Sequence, residues 1–326
     1  MRFDIITIFP GFFAGFFEHG IVRRAQAEGL VTLGVHDLRN FTHDRHRTVD
    51  DRPFGGGEGM VLKAGPLAEA LESLGIATRA ERAMRSPTLS TERHPTDEDL
   101  SAVAPGSRKD GAREDEATPI VPEAGPSAGP PQDDNSELAT RVILLSAQGQ
   151  TFTQAVAREL ARVERVILIC GRYEGVDERI NELYCDMELS IGDYVLSGGE
   201  LAAAVVMDAT MRLVPGVLGN EASGEFESFG VADAAITSDQ EGVPRSQHGS
   251  GGLLDYPHYT RPAEFHGLHA PEVLLNGDHQ QIRRWRREQQ LRKTLANRPD
   301  LLEGAVLSDE DRRLLAAIRA EIAKNE

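Results

Sequence analysis

Two short stretches of the chain are nearly continuous in apolar residues. RVILLS, residues 141–146, and RVILIC, residues 165–170, are rich in β-branched side chains. Runs of this kind predict strands covered on both faces, where an alternating pattern would predict one wet face. Between them, TFTQAVARELARV has its apolar positions at helical spacing, with Leu160 and Val163 on the face of Val156. Strand, helix and strand over so short a span predict a parallel α/β sheet. The chain starts MRFDIITIFPGFFAGFF. Asp4 stands where a signal peptide carries positive charge, and Pro10-Gly11 interrupts the apolar run, so the segment reads as a strand from Phe3 to Phe9 and a turn, not as a targeting segment. Near the other end, GDHQQIRRWRREQQLRKTL and SDEDRRLLAAIRAEIAKN read as helices, the second starting at Ser308 with acids in its first turn.

Residues 84–139 break the pattern. They hold 8 of the 17 prolines, and no Phe, Tyr or Trp occurs between Phe54 and Phe152. Such a stretch buries too little apolar surface to offset the entropy of ordering it, so it reads as a disordered surface insertion. Its GPSAG, Gly125 to Gly129, matches the nucleophile-elbow pattern around Ser127. No strand precedes it and no helix follows, so a hydrolase reading is set aside. A second stretch, 221–253, is acidic and rich in Gly and Ser and reads as a mobile linker or lid. The expected organisation is an α/β unit over 1–220, the linker, and a mostly helical unit over 254–326.

Charge changes this picture only when read by region. The net charge of −17 argues against a nucleic-acid partner for the chain as a whole. Residues 81–140, however, hold 13 acidic against 6 basic residues, while 279–293 is strongly basic. There Trp285 sits among Arg283, Arg284, Arg286 and Arg287. This is either a phosphate-contacting surface with a stacking ring, or an amphipathic helix that buries Ile282 and Trp285. With only Cys170 and Cys185 and no run of 18 apolar residues, the composition fits a cytoplasmic protein without a membrane span.

The candidate chemistry lies in IGDYVLSGGE, residues 191–200. Glu200 stands where a P-loop needs Lys, and the spacing of Gly192, Gly198 and Gly199 fails the dinucleotide fingerprint, so a phosphate ligand is not expected. Ser197 and Glu200 match a capping box for a helix over about 198–213, ended by Pro215-Gly216. Ile191 to Leu196 then form an apolar loop suited to a neutral or cationic ligand held by backbone groups. CGRYEGVDERI and SAQGQTFT follow the two buried strands, and three such glycine-bearing loops with little positive charge predict one shared pocket at the strand ends. Of Glu174, Asp177 and Glu178, at least one is expected to serve the start of a helix. FTHDRHRTVDDRP brings His43 and His46 near Asp50 and Asp51. Arg45, Arg47 and Arg52 crowd them with positive charge, so an RNA-facing loop is expected there instead of a metal site.

FTHDRHRTVDDRPFGGGEGM, CGRYEGVDERI, IGDYVLSGGEL, VPGVLGNEAS and PHYTRP together resemble the bacterial TrmD-type tRNA (guanine-N1)-methyltransferases. The resemblance covers most of 1–220 and much of 253–326. It implies a SPOUT-type α/β domain with a deep trefoil knot, a homodimer with its active site at the interface, and S-adenosylmethionine as cofactor. It places Gly171, Ile191, Gly192, Asp193, Tyr194, Val195 and Leu196 against that cofactor, with Leu144, Leu145, Ser146, Gly198 and Gly199 close by. The cofactor carries a sulfonium and no phosphate, which suits a pocket without Lys or Arg. The implied reaction methylates N1 of the guanosine 3′ to the anticodon. It needs a carboxylate base for the N1 proton and a cation for charge growing on O6. The family's arginine falls on Arg212, which fits equally a cation at a helix C-terminus. The family's aspartate falls on Glu227, one methylene longer, unless the register shifts to Asp233 or Asp239. That departure keeps open an RNA-binding protein without activity on the same scaffold. The family also brings an expectation of Mg2+ dependence, for which no motif speaks.

Overall fold

A computed structural model describes residues 1–85, 140–219, 227–230 and 250–325. The insertion beyond Arg85, Ser127, Asp233, Asp239 and most of the expected linker lie outside the described residues. The strands are β1 (Arg2–Thr7), β2 (Thr32–Asp37), β3 (Asp50–Asp51), β4 (Val61–Leu62), β5 (Thr140–Thr151), β6 (Arg165–Cys170), β7 (Met187–Ser190), β8 (Glu264–Phe265) and β9 (Leu268–His269). The helices are α1 (Ala14–Phe17), α2 (Gly20–Ala27), α3 (Ala64–Ser73), α4 (Arg79–Arg85), α5 (Gln154–Leu160), α6 (Glu178–Tyr184), α7 (Glu200–Met211), α8 (His279–Asn297), α9 (Asp300–Glu303) and α10 (Asp309–Asn325).

Five strands form one parallel sheet in the order β2-β1-β6-β5-β7. The apolar runs place β5 and β6 side by side inside it. Alternate residues feed two cores. Ile143, Leu145, Val166 and Leu168 pack with Ala203, Val206 and Met207 of α7 and Leu160 of α5. Val142, Leu144, Ile167 and Ile169 pack with Leu67 and Leu71 of α3 and Ile180 of α6. Both faces are therefore covered, as uninterrupted apolar strands require.

Three expectations need correction here. The first strand ends at Thr7, and Pro10–Phe13 is a 3-10 turn. Residues 146–151 are not a free loop but the end of β5, whose register on β7 jumps from Leu145 to Gln150. Gly149 permits the jump, since a Cβ there would fall 2.5 Å from the backbone of Glu188 and Leu189. Helix α7 is shorter than expected, Glu200–Met211, and its N-cap is Gly199 without any side-chain cap. The Ser197–Glu200 capping box is not formed.

At the far end of β1, Asp4 is fully buried. It accepts from Arg2 Nε and Nη2 (2.8 and 2.9 Å), His36 Nε2 (2.7 Å) and Arg165 Nε (2.7 Å). Burial alone would raise its carboxyl, but these donors hold it well below the usual carboxylate range. A depressed folded pKa gives stability that is present above about pH 4, the unfolded value, and lost as pH falls through the folded one. Asp4→Asn is expected to cost about 3–5 kcal/mol at neutral pH, because the surrounding cations lose their counter-charge. Its denaturant midpoint should also decline less than the wild type's below about pH 4.

The C-terminal residues have their own apolar cluster, with Leu253, Leu291, Leu314 and Ile318 buried between α8 and α10. The start of α10 carries a reciprocal cap. Ser308 N donates to Asp311 Oδ2 (3.0 Å) and Asp311 N to Ser308 Oγ (3.1 Å). The second carboxylate oxygen of Asp311 accepts from Arg287 Nε (2.6 Å). Arg287 is thus committed to packing α8 on α10, whereas Arg283, Arg284 and Arg286 stay exposed. Trp285 is half-buried, its ring 6.2 Å from that of Tyr259. Ile282 and Trp285 are thus half-buried, not the core residues that the amphipathic reading expects.

Candidate active site

Three chain segments meet at the carboxyl ends of β5, β6 and β7. Gly199 N donates to Gly171 O (2.8 Å), and Arg172 and Gly198 form an isolated antiparallel bridge. A Cβ on Gly199 would stand 2.7 Å from Cα of Cys170, so glycine is what allows this approach. The segments enclose a cleft of about 460 Å³, within the range of small-molecule sites. The expected shared pocket exists as a single cleft.

Leu144, Leu145, Ser146, Gly171, Ile191, Tyr194, Val195, Leu196, Gly198 and Gly199 all line it. Gly192 and Asp193 do not: Gly192 has φ 153°, and the ring of Tyr194 folds over it. Sequence reasoning missed Gln148, Arg172, Glu174, Glu178, Glu188 and Ser197 in the lining. Arg172 lies inside CGRYEGVDERI without a reading of its own, and Glu174 is read there only as an acid at a helix start. Glu188 carries no motif and is found only through the pairing of β7 with β5.

Arg172 corrects the expectation of a pocket without a cation. Its charge is already engaged: Nη1 lies 3.5 Å from Glu200 Oε2, and the guanidinium sits 4.5 Å from the centre of the Phe9 ring. Glu200, expected as a helix cap, is instead 4% exposed and accepts from Thr7 Oγ1 at 2.8 Å. A partner 193 residues away in sequence outcompetes the local cap. Burial, and then Glu200, push the Cys170 thiol well above its ordinary range, so it is no nucleophile.

The cleft's remaining charged groups are Glu174, Glu178 and Glu188. Asp177 is the structural acid of its motif. It caps α6 by accepting from Arg179 N (3.1 Å), and hydrogen bonds from the Arg179 side chain hold its carboxyl below the usual range. Glu174 N donates to Met60 O (3.0 Å) and Asp177 N to Leu62 O (3.0 Å), which bring the end of the first motif beside the cleft. His43 is bonded to Glu69 at 2.8 Å on the surface. Among the described residues, no group of three or more His, Cys, Asp or Glu is arranged to hold a metal ion.

Arg212 is the C-cap residue of α7, and its Nη1 stands 2.6 Å from Glu227 Oε2. Gln154 Nε2 donates to Glu227 Oε1 at 3.4 Å. The structure thus brings the two sequence-predicted catalytic residues into contact, both partly exposed. Neither is among the residues lining the chain's own cleft.

A family model described as tRNA (Guanine-1)-methyltransferase TrmD matches residues 1–93 and 131–304. The break falls inside the proline-rich stretch. A protein of Koribacter versatilis called tRNA (guanine-N(1)-)-methyltransferase is 48% identical, covering 98% of this chain and 99% of its own. Proteins of the same name from Geobacter metallireducens and Dehalococcoides mccartyi are each 42% identical, covering 99% and 98% of this chain and 100% and 98% of their own. With such relatives along nearly its whole length, and a family model that matches well over half of it, the chain belongs to the tRNA (guanine-1)-methyltransferase family.

Proposed function

We propose that the chain methylates N1 of the guanosine 3′ to the anticodon of tRNA, with Glu227 as general base and Arg212 as the stabiliser of charge on O6. The observation that carries this reading is the 2.6 Å contact between those two side chains. Guanine presents N1–H, a donor, directly beside O6, an acceptor. A carboxylate and a guanidinium held side by side complement that edge. Adenine offers an acceptor at N1 and donors at N6, so both contacts become repulsive. Glu227 takes the N1 proton, the electron pair of the broken N–H bond spreads onto O6, and Arg212 meets it there.

The cleft fits S-adenosylmethionine. Gly171, Gly198 and Gly199 line it with backbone, the one arginine among its described lining residues is already paired, and Glu174, Glu178 and Glu188 suit a cationic ligand. Gly171, Ile191, Tyr194, Leu196 and the 144–146 strand end would hold it. When bound, it supplies a methyl group on a sulfonium, already a good leaving group. For Mg2+, the described residues bring no three acids or histidines together as ligands.

In this reading the active site is completed by a second copy of the chain. The Arg212–Glu227 pair lies away from its own cleft, and Leu201 and Val205, one turn apart on α7 between cleft and pair, are 52% and 46% exposed. A twofold contact through that face would cover them and offer the pair to the partner's cleft. The crossing of 171–172 by 198–199 is what supports a SPOUT-type knot. Exposed Arg283, Arg284 and Arg286, with Trp285 and Tyr259, suit the tRNA backbone and an unstacked base.

The test is methyl transfer from labelled S-adenosylmethionine to a tRNA with G after the anticodon. Label is expected in 1-methylguanosine, and a G-to-A change at that position should lower it about 10⁴-fold, as when polar partners are left mismatched. A protein that binds the tRNA but leaves no label would instead favour the RNA-binding reading.

A further inference from the structure

Glu227 belongs to a short segment, 227–230, stapled on two sides. Toward the C-terminal unit, Phe229 N donates to Leu253 O (2.9 Å), Gly230 N to Ser250 Oγ (2.7 Å), and Ser228 Oγ accepts from Asp255 N (3.0 Å). Toward the sheet, the contacts come from α5. Gln154 reaches Glu227 itself, and Arg158, one turn further along the same face, donates from Nη1 to Phe229 O at 3.1 Å. Phe229 has φ 63°, an unusual value for a bulky residue, so its carbonyl is aimed at Arg158 by a backbone that needs outside support. The other terminal nitrogen of Arg158, Nη2, is buried and has no hydrogen-bond partner among the described residues. An orphaned guanidinium nitrogen is costly unless some state of the protein uses it.

We propose that Arg158 is a positioning residue for the Glu227 carboxylate, clamping its segment through Phe229 O and standing as second cation beside it when Arg212 turns to the substrate. This rests on the reading of Glu227 as the base. In the resting arrangement Arg212 satisfies Glu227. Substrate guanine needs both groups, Arg212 at O6 and Glu227 at N1, so the ion pair must open. A partly buried carboxylate that has lost its cation is free to swing toward solvent, and Glu, with one more rotatable bond than Asp, swings more readily. The buried Nη2 of Arg158 offers a donor on the α5 side, and the charge of Glu227 already acts on this arginine, against the effect of its burial. Arg158 keeps its proton throughout; the proton from N1 passes to Glu227 alone.

The experiment compares Arg158→Gln, Arg158→Lys and Glu227→Gln as full-length proteins, by single-turnover and steady-state methyl transfer, calorimetric cofactor affinity and melting temperature. Arg158→Gln is expected to lower kcat about 10- to 100-fold, the scale of misplacing a reacting group by about an ångström. The KM for tRNA and the cofactor affinity should each change less than about threefold, well short of that scale. Arg158→Lys, which keeps a charge and a donor for Phe229 O, should recover part of the loss. An unchanged kcat in Arg158→Gln overturns the proposal. So does a loss confined to KM or cofactor affinity, or a Lys variant no better than Gln at equal melting temperature. Glu227→Gln separates the two readings. If it turns over normally, the base assignment fails. If it is inactive while Arg158→Gln is normal, only the role of Arg158 fails.

Discussion

Glu227→Gln is expected to reduce methyl transfer by about 10²–10⁴-fold, the usual worth of a general base, with cofactor affinity little changed. Gln has the shape of Glu and keeps a hydrogen-bonding end for Gln154, so the loss would report the missing proton acceptor, not a collapsed segment. Cofactor affinity should hold because Glu227 acts on the guanine N1–H and Gln keeps its size and polarity beside the cofactor. Glu227→Asp tests the departure from the family pattern. The shorter carboxylate sits farther from Arg212, now 2.6 Å away, so partial activity is expected where Gln gives nearly none. Near-normal turnover in the Gln variant would move the base to Asp233 or Asp239. Acid-quench single turnovers at saturating tRNA read the effect directly, since they separate chemistry from binding.

The parts of this protein that are legible in its sequence are those decided by neighbours along the chain. The RVILLS and RVILIC runs predict strands buried on both faces, and that is how β5 and β6 lie, each feeding both cores. Ser308 predicts a helix start and caps one, because Asp311 can accept from Ser308 N and from both Arg287 Nε and Nη2 at once. Ser197 and Glu200 carry the same local signal and fail. Thr7 and Arg172, brought in by the fold from β1 and from the turn after β6, claim the carboxylate first. The same contact explains how a cation can stand in the cleft. Arg172 is visible in the sequence, but its neutralisation by Glu200 is not. The 146–151 segment reads as a loop in the sequence for a related reason, since a glycine that permits a turn also permits a strand to bulge against its neighbour. Arg212 and Glu227 are expected as catalytic residues only through the resemblance, and their contact joins two positions that no local pattern pairs.

Gly199→Ala is expected to remove measurable cofactor binding while leaving the sheet folded. The new methyl carbon would lie 2.7 Å from Cα of Cys170 and 3.0 Å from the amide nitrogen of Gly171. Both are backbone atoms at the end of a central strand, and neither can rotate away as a side-chain tip could. The 198–202 turn must therefore retreat from β6, which breaks the Gly199 N to Gly171 O bond and opens the cleft at its tightest point. Overpacking of this kind costs about 1–3 kcal/mol. That is tolerable for the fold, but at 1.4 kcal/mol per tenfold it is worth about 10- to 100-fold in affinity even before the lost cradle is counted. Gly65→Ala is the control. Gly65 lies in α3 with nothing within 4 Å of the added carbon, so that variant should bind normally and melt at or slightly above the wild-type temperature. Calorimetric titration with S-adenosylmethionine, beside a melting curve for each variant, distinguishes a lost cradle from a lost fold. If Gly199→Ala binds as tightly as Gly65→Ala, the 198–199 turn is not part of the cofactor site.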